Sequence, residues 1–180
     1  CFQVYCGAMT LGLQKVGFAE TGNANINTST SETTLIGTGT GTATLAANFL
    51  TVAKTIKVRM WGFYGTKASP VGALTIRFKY GSTTLVTLSP TLTVSLTNQP
   101  FNLEFELTCR TTGATGTVFA QGEGKFYSAA GTAGLISGVT TATTTIDTTA
   151  SSKIDITAQW ATSNASNTIT STNYSMEVLY

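Results

Sequence analysis

The chain has 180 residues, with 38 Thr, 18 Gly and 14 Ser, against 10 basic residues, 8 acidic residues and no His. That length supports one domain with a real core, and 42% hydrophobic residues exclude wholesale disorder. The net charge of +2 comes from basic residues scattered from Lys15 to Lys153, so no basic run tracks a nucleic acid, and no apolar stretch approaches the roughly 20 residues that cross a bilayer.

Thr together with Val, Ile, Phe and Tyr favours strands, because branched and aromatic side chains fit a pleated, half-buried surface. Residues 1–18 mix apolar residues and glycines without a clean period, and residues 20–31 (ETGNANINTSTS) have linker composition. Residues 1–31 are therefore expected to form an N-terminal arm or connector. One or two unrecognised strands are the alternative. Residues 32–180 are expected to form the domain.

The GTGTGT run at 37–42 suits a turn or bulge between strands. A phosphate-cradling loop would need a helix start and usually a Lys after it, and neither follows. Residues 46–53 hold at most one helical turn. Residues 55–64 (TIKVRMWGFY) alternate, with Ile56, Val58 and Met60 facing one way and Lys57, Arg59 and Trp61 the other. Residues 73–80 repeat the pattern, with Leu74, Ile76, Phe78 and Tyr80 inward. Short strands follow at 83–88 and 91–97, each closed by a turn signal.

Residues 101–110 (FNLEFELTCR) bury Phe101, Leu103, Phe105, Leu107 and Cys109. Residues 117–127 form a strand in which Gly122 and Gly124 mark a bulge or close approach. Residues 128–138 are a small-residue loop, and strands return at 140–146, 153–160 and 167–178. Eight or nine strands at this spacing, without crossover helices, predict an all-β protein. The expected form is an antiparallel β-sandwich, jelly-roll-like, with two four-stranded sheets.

The chemistry is sparse. Without His the commonest general base, metal ligand and triad partner is missing, so no enzyme and no cofactor are expected. Glu104 and Glu106 share one strand face about 7 Å apart. The matching i, i+2 pairs Lys57/Arg59 and Arg77/Lys79 make a cross-strand charge ladder the better reading than acid/base catalysis. Asp147 and Asp155, eight positions apart, define no metal loop. A Cys1–Cys6 bridge is one pairing the cysteine count allows, and Cys109 shares the parity of a core strand. Trp61 and Tyr64 are the candidate binding residues. Trp61 lies on a polar strand face and Tyr64 nears the Gly-rich run GTKASPVG, a setting suited to sugar stacking or a subunit contact, with an aromatic cover over a sheet edge as the plainer alternative.

Thr33-Thr34-Leu35-Ile36-Gly37, followed by Ala46-Ala47-Asn48-Phe49-Leu50 and Lys54-Thr55-Ile56-Lys57-Val58, resembles structural proteins of tailed bacteriophages. So do Thr145-Ile146-Asp147-Thr148-Thr149-Ala150, Asp155-Ile156-Thr157-Ala158-Gln159-Trp160 and Ala165-Ser166-Asn167-Thr168-Ile169-Thr170. Lys54 departs from the Gly of many relatives, and residues 1–31 have no counterpart. The resemblance implies a virion surface component, commonly a homotrimeric jelly-roll knob that decorates the particle or touches the host, and it carries over no functional residues.

The expected protein is thus a non-enzymatic virion structural protein in tail, fibre or capsid decoration. It would associate with itself, attach to other virion proteins through residues 1–31, and meet a host cell-surface glycan as candidate receptor. Nucleic acid and membrane span are excluded as partners. A secreted carbohydrate-binding module or an adhesin subunit is the alternative. Uncharged Thr, Ser, Asn and Gly surfaces suit strands covered by neighbouring subunits.

Overall fold

The computed structural model describes residues 15–128 and 131–179. Fourteen strands occur among them: β1 Lys15–Gly22, β2 Asn25–Asn27, β3 Thr33–Thr34, β4 Thr38–Gly41, β5 Thr44–Leu45, β6 Thr55–Gly65, β7 Leu74–Tyr80, β8 Thr83–Leu88, β9 Gln99–Thr111, β10 Gly116–Tyr127, β11 Ala133–Val139, β12 Thr144–Ile146, β13 Ser152–Trp160 and β14 Thr168–Val178. No helix among the described residues is long and apolar enough to cross a membrane.

Two antiparallel sheets pack face to face. The larger has nine strands in the order β11-β10-β9-β6-β14-β1-β4, with β12 on β10 and β2 on β14; the smaller has five, β3-β13-β7-β8 with β5 on β13. The all-β antiparallel sandwich read from the sequence is the observed architecture. Its sheets are unequal, nine and five strands instead of four and four.

Period-2 patterning explains the layers. Along 55–60 of β6, along β7 and along 101–109 of β9 every second residue is buried, and Ile56, Val58, Met60, Ile76, Phe78, Phe105 and Leu107 are fully enclosed. Phe78 of the smaller sheet stacks on Phe105 of the larger, with centroids 4.9 Å apart and planes 13° from parallel, so the two layers meet ring to ring. Trp160 and Cys109 are core, as their parity requires.

Four segments depart from expectation. The described part of residues 1–31 is not an arm: β1 pairs with β14 and β4, and β2 pairs with β14. Short polar runs such as Asn25–Asn27 lack a readable period, yet Ile26 is buried in the core. Residues 15–22 and 25–27 are strands of the larger sheet; residues 1–14, with the Cys1–Cys6 pairing, lie outside the described residues. The Gly-Thr run supplies the edge strand β4 where a turn was expected. There a Cβ on Gly39 would stand 2.9 Å from the Ala19 carbonyl carbon, and Gly41 has φ 91°, a geometry glycine tolerates.

Residues 46–53, expected to hold at most one helical turn, form turns without a helix, in keeping with that expectation. Residues 91–97 form no strand, because their polar groups are committed to a neighbouring loop: Leu96 N donates to Thr66 Oγ1, Ser95 N donates to the Lys67 carbonyl, and Ser95 and Asn98 have positive φ. Conversely, most of the expected 128–138 loop is β11, paired with β10 from Gln121↔Val139 to Tyr127↔Ala133. Its small residues concealed the strand.

Candidate functional site

Because side chains alternate along a strand, register fixes which residues share the solvent face of the larger sheet. One row across it reads Leu135, Lys125, Asn102, Trp61, Asn173, on β11, β10, β9, β6 and β14. The next reads Ser137, Glu123, Glu104, Arg59, Ser175, and the one beyond it Val139, Gln121, Glu106, Lys57, Glu177. In the opposite direction Phe63 follows Trp61, partly buried, and pairs with Thr170.

Trp61 stands near the middle of this face and is 43% exposed. Its neighbours in register, Asn102 and Asn173, flank it with amides. Thr172, beside the irregularity in β14, donates its hydroxyl to the Trp61 carbonyl at 3.2 Å. Tyr64 is corrected: it is buried, at 2% exposure, because its parity is opposite to that of Trp61 and Phe63. Its hydroxyl donates to the Tyr127 carbonyl at 2.8 Å and its ring meets Phe126 edge-on at 5.4 Å. Burial raises its pKa. Tyr64 ties β6 to β10 and offers no surface to a ligand.

Beyond Gly65 the face opens into a cleft of about 490 Å³ lined by Gly65, Thr66, Lys67, Ser95, Asn98 and Thr168 among others. Gly65 pairs with Thr168 and is buried beneath the Leu96 and Ser166 carbonyls, so the cleft lies where those loops close the end of this face. Nothing in the sequence marked the cleft, since three separate loops build it. The other side of the face carries shallow hollows of about 370 and 220 Å³ along β9, β10 and β11, bordered by Glu104, Glu106, Glu123, Leu135 and Val139.

The ladder is present and centred on Glu104, with Arg59 Nη1 also 3.9 Å from the Glu177 carboxylate. Lys57 Nζ lies 2.6 Å and Arg59 Nε 3.0 Å from the Glu104 carboxylate. Partial burial pushes the Glu104 pKa up, but the hydrogen bonds and charges of Lys57 and Arg59 outweigh it, and the net shift is downward. Arg77 and Lys79 do not join this ladder; they lie on the other sheet and pair with Glu32, at 3.3 and 2.8 Å. Glu32 also accepts from the Thr157 hydroxyl at 2.7 Å, and its pKa is lowered, by Lys79 first and Thr157 second. Both carboxylates are held ionised in structural pairs.

Cys109 is buried and its thiol pKa is raised by that burial, opposite to what a nucleophilic thiolate needs. Among the described residues no group of three or more His, Cys, Asp or Glu is placed to hold a metal.

No protein family and no curated protein matches this chain. Two solved structures resemble it weakly. A protein of unknown function from Shewanella oneidensis MR-1 aligns with 93% of this chain and 75% of its own, at 13% identity and a TM-score of 0.41. The CBM2 module of the evolved Dit of Lactobacillus casei BL23 phage J-1 aligns with 74% of this chain and 66% of its own, at 16% identity and a TM-score of 0.32. Likeness at this level assigns neither family nor activity.

Proposed function

We propose that this chain is a non-enzymatic structural protein of a bacteriophage virion, a tail, fibre or capsid-decorating sandwich that associates with copies of itself as a trimer. The observation that carries the reading is the outer face of β11. Leu135 and Val139 are 75% and 67% exposed there, on the last strand of the larger sheet. Large aliphatic side chains on an open edge invite pairing and are ordinarily blunted by charge or covered by a partner. Here they border hollows in the same face that a second copy can fill.

The phage setting is supported by the sequence runs at 33–58 and 145–170 and by the uncharged Thr, Ser and Asn surface. The non-enzymatic reading is supported by the commitment of Glu32 and Glu104 to ion pairs and by the raised pKa of Cys109. Sedimentation velocity over a wide concentration range tests the assembly. The wild-type chain is expected to associate to three copies, and Leu135→Ser with Val139→Ser to dissociate to monomer at unchanged thermal stability. A wild-type chain that stays monomeric at every concentration would remove the proposal.

A further inference from the structure

We infer that the outer face of the larger sheet, from Trp61 through Phe63 into the cleft beyond Gly65, binds a carboxylate-bearing saccharide. This goes beyond the assembly reading and uses different residues, so either can fail alone.

The first observation is the platform. Trp61 is 43% exposed on a sheet face, and Phe63, partly buried, shares its parity two residues on along the same strand. Such a strip matches the C–H face of a pyranose, which gains by leaving water, while an aromatic residue keeps its shape at low entropic cost. Asn102 and Asn173 stand on either side in register, and each amide offers two donors and an acceptor to ring hydroxyls.

The second observation is the cleft. Thr66 and Asn167 are 2% and 0% exposed, and they join three loops. Thr66 Oγ1 donates to the Thr93 carbonyl at 2.7 Å and accepts from Leu96 N at 3.0 Å. Asn167 Oδ1 accepts from Lys67 N at 3.0 Å, and its Nδ2 donates to the Thr162 carbonyl at 3.1 Å. The walls are therefore set before any ligand arrives, which removes an ordering cost from binding.

The third observation is charge. On this face Glu104, Glu106, Glu123 and Glu177 all lie in the rows on the Arg59 and Lys57 side of Trp61. No carboxylate lines the cleft, and Lys67 does; its ammonium forms no ion pair among the described residues. An acidic sugar is thus favoured at the cleft end and a neutral ring over Trp61. A lone anion would have no use for the ring.

The test is an array of uronate-terminated, sialate-terminated, sulfated and neutral oligosaccharides, followed by fluorescence titration of the retained ones with the full chain. Trp160 is buried, so a surface ligand changes the emission of Trp61. Retention of carboxylate-bearing glycans is expected. Trp61→Ala, which removes the fluorescent reporter and is therefore titrated by calorimetry, should weaken their binding at least about tenfold, the loss that follows truncation of an aromatic anchor. Lys67→Gln should abolish the preference over neutral glycans, and raising salt from about 0.05 M to about 0.5 M should weaken wild-type binding. Unchanged melting of both variants separates these effects from misfolding. Retention of no acidic glycan, retention only of sulfated or neutral ones, or undiminished binding by Trp61→Ala would overturn the inference.

Discussion

Gly122→Ala gives the most demanding check on how the sandwich is packed. Gly122 faces inward on β10, in register with Phe105 on β9. A Cβ there would stand 2.5 Å from Phe105 Cε1 and closer still to Cδ1. Phe105 has nowhere to turn, because it is fully buried and its ring is stacked on Phe78 of the opposite sheet. Overpacking of this kind costs about 1–3 kcal/mol. Replacing Gly with Ala in a strand returns about 0.5–1 kcal/mol of chain entropy, which leaves a net loss centred on about 1 kcal/mol and no greater than about 2.5 kcal/mol. For a chain of this size the central value corresponds to a fall in Tm of about 2–4 °C, measured by calorimetry or near-ultraviolet circular dichroism. In a Phe105→Leu background the added methyl should cost distinctly less, since the ring it strikes has been removed. An unchanged or higher Tm for Gly122→Ala, or the same cost in both backgrounds, would refute the reasoning.

Two further predictions concern buried and paired polar groups. Glu32→Gln should lose about 1 kcal/mol or less at neutral pH, the scale of a partly exposed ion pair. Because the folded-state pKa of Glu32 is lowered below its unfolded value near 4.3, its contribution is full above that value. It fades as pH falls through the folded pKa, so the denaturation curves of wild type and variant should converge in acid and stay apart at pH 7. Divergence in acid would contradict the pairing. Tyr174 is fully enclosed, its pKa is raised mainly by burial, and its hydroxyl has no partner among the described residues. Tyr174→Phe is therefore expected to be neutral or slightly stabilising in urea denaturation, and a loss above about 1 kcal/mol would show that the hydroxyl is held by a bond.

How much of this was legible depends on the strand. Thr55–Gly65, Leu74–Tyr80, Gln99–Thr111 and Ser152–Trp160 declare themselves because large apolar residues alternate with charged ones, and burial enforces that period. β4 and β11 do not, since Gly, Thr and Ser carry too little contrast to show which face is inward; only pairing with β1 and β10 makes them strands. The exposure of Trp61 followed from its parity with Lys57 and Arg59. The same rule places Tyr64 inside, but its nearness to a Gly-rich loop suggested a surface position that the ladder does not allow. The cleft beyond Gly65 was out of reach, because its walls come from residues 65–68, 95–98 and 165–168, and no local pattern brings such segments together.

Hydroxyl-radical footprinting of the intact chain, at low and high concentration, tests most directly whether the open edge of the larger sheet is where copies meet. Leu135 and Val139 are the reporters, and Val52, 63% exposed on the turn before β6, is the internal reference. The predicted result is oxidation of Leu135 and Val139 that falls as concentration rises while Val52 stays constant. Equal oxidation of all three at every concentration would contradict it.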